Sequence, residues 1–330
     1  MNHSMGTILV TGGNGYLGSM LVARLIQSGE QVRVLARAAK PGVALPKDRN
    51  VVYGDIRDPQ AVDEAVKDTE IVIHLVSNFR KGGSDKDDAY AVNVEGTQNV
   101  LNAALKHQVK RFIHCSTIGV HGDVREIPAN ELTPFNPTDL YQETKLMAEQ
   151  AVWKCYEETK LPITVIRPIS LFGPGDLRML KLFRMIKKGR FVMIGKGDAL
   201  FQPAYIDDVV DGFLLCLQKE QAVGEAFIIG GEEYVSLKEL VRLIAHELDV
   251  AVPHRQIPLK PALWAASLCE KICAPFGIEP PLHRRRMSFF QNNRAFSIAK
   301  AKSALGYKPE ITLREGIRRT IDWYEAHGWL

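Results

Sequence analysis

The chain has no run approaching the roughly 18 consecutive apolar residues that a membrane-spanning helix requires, so no transmembrane span is expected among its 330 residues. Behind the opening "MNHSMG" lies no apolar region of the kind a secretory signal carries. Cysteine is scarce. There are five, an odd number without regular spacing, which points to reduced thiols in a cytoplasmic protein rather than to a disulfide framework. Cys269 and Cys273 stand one helical turn apart, yet no second pair of ligands accompanies them, and no metal site is expected. An excess of one charge is lacking too. A formal net charge of +4 is too small and too dispersed to suggest a nucleic-acid partner, and Arg284-Arg285-Arg286 reads as a solvated helix start. There is no internal repeat and no low-complexity linker.

What is there is an ordinary globular composition, 46% hydrophobic and 24% charged, at a length that suggests about two domains. In the first half, β-branched runs at Thr7–Val10, Gln31–Leu35, Val51–Tyr53, Ile71–Leu75, Arg111–Cys115 and Ile163–Ile166 alternate with helical patterns near Tyr16–Ser28, Pro59–Lys67, Ala89–His107 and Leu140–Thr159. Such alternation predicts an α/β fold, a doubly wound parallel sheet with helices on both faces and ligands at the carboxyl ends of the strands. After Pro168 the pattern changes to helices near Leu177–Lys188, Asp207–Gln218, Leu237–Leu248, Pro261–Ala274 and Leu313–Ala326, separated by short strands and Gly/Pro turns. Residues 1–168 are therefore expected to form a dinucleotide-binding domain, to which some later segments return. Residues 169–330 would mainly make a smaller, mixed α/β substrate domain closing over it.

The first strand runs into "TGGNGYLG", with glycines at Gly12, Gly15 and Gly18, and the helix "YLGSMLVARLIQSG" follows at once. Three glycines alone suit any flexible loop. Between a buried strand and a helix they suit a dinucleotide pyrophosphate, which sits where free N–H groups and the helix dipole favour negative charge. The stretch "LYQETKLMAE" sets Tyr141 and Lys145 four apart on one helix face. A neighbouring ammonium stabilises a phenolate, and such a tyrosine can exchange a proton with a substrate hydroxyl or carbonyl. The same spacing also occurs on plain surface helices. Upstream, "HCSTIGVHG" ends the fifth strand at the ligand-facing edge, where Ser116 and Thr117 hydroxyls can reach the same substrate oxygen. The alternative for them is an ordinary polar strand end.

Together "TGGNGYLG", "YGDIRD", "NVEGTQNVLNAA", "CSTIGVHG", "YQETK", "RPISLFGPGD", "YIDDVVDG" and "LGYKP" resemble, in order and over nearly the whole chain, the extended short-chain dehydrogenase/reductase family. That family contains NAD(P)-dependent epimerases, dehydratases and 3β-hydroxysteroid dehydrogenase-like enzymes. The resemblance implies a Rossmann-type fold with Tyr141 as catalytic acid/base, Lys145 lowering its pKa and holding the nicotinamide ribose, and Thr117 orienting the substrate oxygen. It also implies cofactor contacts from Gly12, Asn14, Gly15, Tyr16, Leu17 and Gly18. Asp55 and Ile56 would flank the adenine. Val76, where the family more often has alanine, would lie near the phosphates and ribose, and Pro168 beside the nicotinamide face. Asn93 matches the asparagine of the helix lining the sheet; a buried packing amide is an equal reading.

At the end of the second strand, "QVRVLARAAK" offers Arg37 where an acidic residue would favour NAD, with Arg33 and Lys40 nearby. A guanidinium suits a 2′-phosphate by charge and fork geometry, so NADP(H) is favoured, with NAD(H) retained because arginine also stacks over adenine there. Relatives acting on nucleotide-diphosphate sugars carry an asparagine and an arginine where this chain has Ser170 and Phe201. A buried diphosphate left without that charge is costly. The pattern thus looks most like the sterol and 3β-hydroxysteroid dehydrogenase-like branch, acting on an apolar, sterol-like or acyl small molecule, unless Arg178 or Arg294 supplies the charge. In "PALWAASLCEKICAPFG" the apolar cover is interrupted by Glu270 and Lys271, which favours a substrate-pocket or core helix over peripheral membrane contact. The alternatives are a nucleotide-sugar epimerase or dehydratase with tightly bound NAD, and a non-catalytic NAD(P)-binding protein, against which the intact Tyr141–Lys145 pair speaks. A homodimer fits any of the three.

Overall fold

The computed structural model describes residues 6–39, 50–78, 86–273 and 284–330, so Lys40 and Ala274 lie outside it. Strands β1 (Thr7–Thr11), β2 (Gln31–Ala36), β3 (Val51–Tyr53), β4 (Ile71–His74), β5 (Arg111–Cys115) and β6 (Ile163–Pro168) follow the expected order. Helices α1 (Tyr16–Gln27), α2 (Pro59–Val66), α3 (Lys86–Tyr90), α4 (Gly96–Lys106) and α5 (Leu140–Thr159) connect them. Each neighbouring pair of strands is parallel. Alternation along β1 shows why these runs are continuously apolar: Ile8 and Val10 join one core, Leu9 the other, and all are fully buried. The chain thus forms an α/β Rossmann-like fold.

The second half contributes β7 (Ser170–Phe172), α6 (Leu177–Lys187), β8 (Met193–Ile194), β9 (Leu200–Phe201), β10 (Pro203–Tyr205), α7 (Ile206–Gln218) and β11 (Glu225–Ile229). Then come β12 (Val235–Ser236), α8 (Leu237–Glu247), β13 (Gln256–Ile257), α9 (Leu259–Cys273), α10 (Arg284–Gln291), α11 (Ala299–Leu305) and α12 (Leu313–Ala326). Strand β11 returns to the main sheet beside β6, giving seven strands in the order β3-β2-β1-β4-β5-β6-β11. A third core gathers α6, α8 and α12 around Phe183, Leu240, Ile244, Ile317 and Tyr324, and Tyr16, Leu17 and Met20 of α1 pack against it.

Two expectations change. The helix expected over 89–107 starts three residues earlier, at Lys86, and carries a π-turn at Ala91–Glu95 between α3 and α4. Asn93 lies in this wide turn and is buried. Helix α9 is not a core helix: only Ala262 and Ala266 are buried, while Trp264 is 79% exposed and Leu268 and Ile272 over half. Ala262 and Ala266, with Leu263 beside them, make the contact with Met287 of α10, while Trp264, Leu268 and Ile272 face outward. Among the described residues no helix is long and apolar enough to cross a membrane, and no cluster of three metal-ligating side chains occurs.

Candidate active site

Parallel strands end on one edge, and the residues read from the sequence line it. The glycine turn follows β1, Arg37 follows β2, Asp55 β3, Val76 β4 and Thr117 β5, while Pro168 ends β6. The turn's glycines have separable causes. Gly12 sits at φ +73°, a left-handed conformation that suits glycine, and a Cβ on Gly18 would lie 2.3 Å from the Gly12 carbonyl oxygen. The turn therefore needs these two for its own closure. Gly15 caps α1 without a side-chain bond, and the first turn carries no acid. A Cβ there would meet only the Gly12 oxygen among the described residues, so the helix N-terminus faces open space with unsatisfied N–H groups. This cradle fits a dinucleotide pyrophosphate. Asn14 braces it by donating to the Ala38 carbonyl at 2.7 Å.

Tyr16 points away from the cradle. Its ring lies under the Arg178 guanidinium, 5.1 Å from its centroid, against Gly173, and burial, with Asp176 nearby, drives its phenol well above the usual range. Arg178 in turn donates to Asp176 and to the Leu171 carbonyl. Arg37 is exposed at the strand end and helps hold Asp55 ionised, although the bond from Arg57 does most of that. Arg33 faces elsewhere, donating to the carbonyls of Ala65 and Lys67 at the end of α2. Ile56 is buried, its carbonyl accepting from Asn99. Val76 lies against Gly12.

Asp139 caps α5 by accepting from the Gln142 N–H, which sets Tyr141 and Lys145 on successive turns. Tyr141 is half-buried; Lys145 is 1% exposed, and its Nζ donates to the Cys115 carbonyl at 2.7 Å. Burial pushes the Lys145 ammonium below its usual range, against the opposing pull of Cys115 and Glu149. Thr117 is half-buried, its Oγ1 accepting from the Gly119 N–H at 3.0 Å while its hydroxyl hydrogen stays available. Ser116 does not share that role. It is buried and donates to Glu149 on α5.

Several residues of the site were not read from the sequence. His74 bonds Thr11 Oγ1 at 2.8 Å and Thr97 Oγ1 at 3.0 Å; burial, then the Lys145 charge, lower it to about 3. Thr97 donates to the Asn93 carbonyl, and the Asn93 amide accepts from the Asn78 N–H at 2.7 Å and donates to Thr144 Oγ1 at 2.8 Å. Thr144 returns to the carbonyls of Leu140 and Tyr141. A bonded chain thus links the end of β1 to the first turn of α5. Farther out, Ser170 pairs with Pro203, and Phe201 is buried edge-to-face on Phe289 at 5.5 Å. Arg294 lies next to that strand, its N–H donating to the Leu200 carbonyl.

Known proteins resemble this chain in sequence and in fold. The pattern of the NAD dependent epimerase/dehydratase family matches residues 8–230. A 3 beta-hydroxysteroid dehydrogenase/Delta 5-->4-isomerase of Mycobacterium tuberculosis is 30% identical over 97% of this chain and 90% of its own. A 2-alkyl-3-oxoalkanoate reductase of Stenotrophomonas maltophilia is 29% identical over 94% and 97%. The UDP-glucose 4-epimerase of Thermotoga maritima shares the fold at a TM-score of 0.80, with 24% identity over 97% of this chain and 99% of that one. The chain belongs to the NAD dependent epimerase/dehydratase family, as an oxidoreductase of the extended short-chain dehydrogenase/reductase type that works with a nicotinamide dinucleotide.

Proposed function

We propose that the protein interconverts a secondary alcohol and a ketone on an apolar, sterol-like or acyl substrate, with Thr117, Tyr141 and Lys145 as its reacting groups. One observation carries this reading: the fully buried Lys145 is anchored on the Cys115 carbonyl, one residue pair from Thr117 and one helical turn from Tyr141. A bound nicotinamide supplies or accepts the hydride. In the reducing direction the Tyr141 hydroxyl gives its proton to the ketone oxygen, Thr117 donates a hydrogen bond to that oxygen, and the Lys145 charge stabilises the phenolate left behind. Gly12, Gly15, Gly18 and the α1 N-terminus would hold the pyrophosphate, with Asp55 and Ile56 at the adenine and Pro168 at the nicotinamide. Residues 1–168 and β11 then form the cofactor part and the rest of 169–330 mainly the substrate part. A cytoplasmic location belongs to the same reading, from the five irregularly spaced cysteines.

We further infer a preference for NADP(H) over NAD(H), resting on Arg37 alone, since Arg33 is bonded elsewhere. Following nicotinamide absorbance with 3β-hydroxysterols, β-keto acyl compounds and nucleotide sugars tests the whole reading; turnover of a ketone or sterol is expected, and turnover of nucleotide sugars alone overturns it. The epimerase alternative keeps one favourable observation, Arg294 beside Leu200 and Phe201. Calorimetry with UDP decides there: no binding is expected, and micromolar binding abolished by Arg294→Ala would establish the epimerase.

A further inference from the structure

Tyr141, Lys145 and Glu149 recur at four-residue spacing, so a third side chain stands on the same face of α5, one turn beyond the pair. Glu149 is 1% exposed, a place a carboxylate occupies only when its lone pairs are satisfied. They are. Arg167 on β6 donates to both oxygens, Ser116 donates its hydroxyl, and Trp153 its indole N–H at 3.3 Å. Burial opposes the charge, but the Arg167 bonds outweigh it and hold Glu149 below the usual carboxylate range. Arg167 also donates to the Glu131 carbonyl at 3.0 Å, meets His121 at 3.2 Å and lies over the Phe135 ring.

Three consecutive residues at the end of β5 are therefore tied in sequence. The Cys115 carbonyl takes Lys145, the Ser116 hydroxyl takes Glu149, and Thr117 faces the site. We propose that Glu149 is a positioning residue for the reaction proposed above: through Ser116 and Arg167 it fixes Thr117 against Tyr141, and its carboxylate balances the Lys145 ammonium. The inference rests on the assignment of Tyr141, Lys145 and Thr117.

The balance of charge around Lys145 is simple. Toward it face Cys115 and His114 from β5, His74 from β4 and Glu149 from its own helix. Both histidines are kept neutral by burial and the thiol is pushed up to about 11. Glu149 is thus the one anion among these neighbours. Removing it leaves Arg167 and Lys145 uncompensated, which makes protonation of the Tyr141–Lys145 pair harder. Both apparent pKa values of the pair then fall.

Glu149→Gln, Ser116→Ala and Tyr141→Phe separate the parts. Ultraviolet titration of the tyrosinate band, taken as the difference from Tyr141→Phe, needs no substrate. In Glu149→Gln the titration attributable to the pair is expected about one pH unit lower. In Ser116→Ala the titration stays put, whereas kcat with a 3β-hydroxysterol falls about tenfold at nearly constant KM, because only the placement of Thr117 is disturbed. A folded Glu149→Gln variant with wild-type titration and turnover, or full kcat in Ser116→Ala, overturns the proposal. Should Glu149→Gln fail to fold, Glu149→Leu/Arg167→Met removes both buried charges together. That variant is expected to bind NADPH normally and lose about 100-fold in kcat; normal kcat refutes the positioning role. Full turnover in Tyr141→Phe would instead sink the assignment of the site itself.

Discussion

Lys145 illustrates what a single residue undergoes at this site. Its ammonium sits out of water with one carbonyl bond to Cys115, so its charge is costly to maintain unless it is used. In the proposed reaction Tyr141 is the group that uses it. Tyr141→Phe is expected to bind cofactor as before and to lose roughly two to four decades of turnover, checked by steady-state kinetics with the substrate found by screening. Arg37 makes a second prediction. Exposed at the end of β2, its charge is free to meet a 2′-phosphate. Arg37→Ala should weaken NADPH binding by about 1.5–3 kcal/mol and leave NADH almost unchanged, as read by fluorescence titration of both cofactors. Equal losses would remove the case for NADP(H). The glycines were legible as a group, but only Gly15 faces the open cradle. Gly12 and Gly18 answer to the turn's own carbonyl and dihedral, which no spacing pattern distinguishes.

Among the elements, the buried face of α5 and the π-turn were the hardest to read. The buried face of α5 is Thr144, Lys145, Ala148, Glu149, Val152 and Cys155, half of it polar. The helical pattern over Leu140–Thr159 gave its bounds, but hydrophobic periodicity is blind to the polar part of that face, of which only the Tyr-Lys spacing gave a sign. The four-residue spacing to Glu149 was present in the sequence, but a buried carboxylate declares itself only once Arg167 arrives from β6. The π-turn left no sequence signal, and the two partners of the Asn93 amide inside it, Asn78 and Thr144, are remote in sequence. Asn93→Ala leaves the part-buried Asn78 N–H without its acceptor and removes the amide's hydrogen bond to Thr144 in the first turn of α5. It should cost about 2 kcal/mol in urea unfolding and lower kcat more than cofactor affinity. A variant with unchanged stability would show that the turn is held by other contacts.

For the whole molecule, the alternation of strands and helices and the second-half helices were legible because apolar period survives any topology. A return of some later segment was expected, but its identity as β11 and the outward apolar face of α9 were not legible, since each depends on neighbours remote in sequence. Stability also carries a mark of the interior. His74, His114 and His121 are all buried; burial lowers them to about 3, well below the usual value, and to about 4. Their folded values lie beneath the unfolded one, so as pH falls below about 6.5 the unfolded chain takes up protons that the folded chain refuses. Each should withdraw about 2 kcal/mol between pH 7 and pH 5, measured by urea unfolding at the two values. His114, with neither ring nitrogen bonded among the described residues, gives the sharpest check. His114→Leu should recover its share at pH 5, and a variant with wild-type pH slope would refute the account. The late arrival of β11 has a bearing on synthesis. Emerging from the ribosome, the chain can pair β1 to β6 early, yet the outer edge of β6 stays bare until Ile229 has cleared the exit tunnel. A nascent chain paused after α7 presents an unclaimed strand edge, an invitation to pair with its neighbours on the same message.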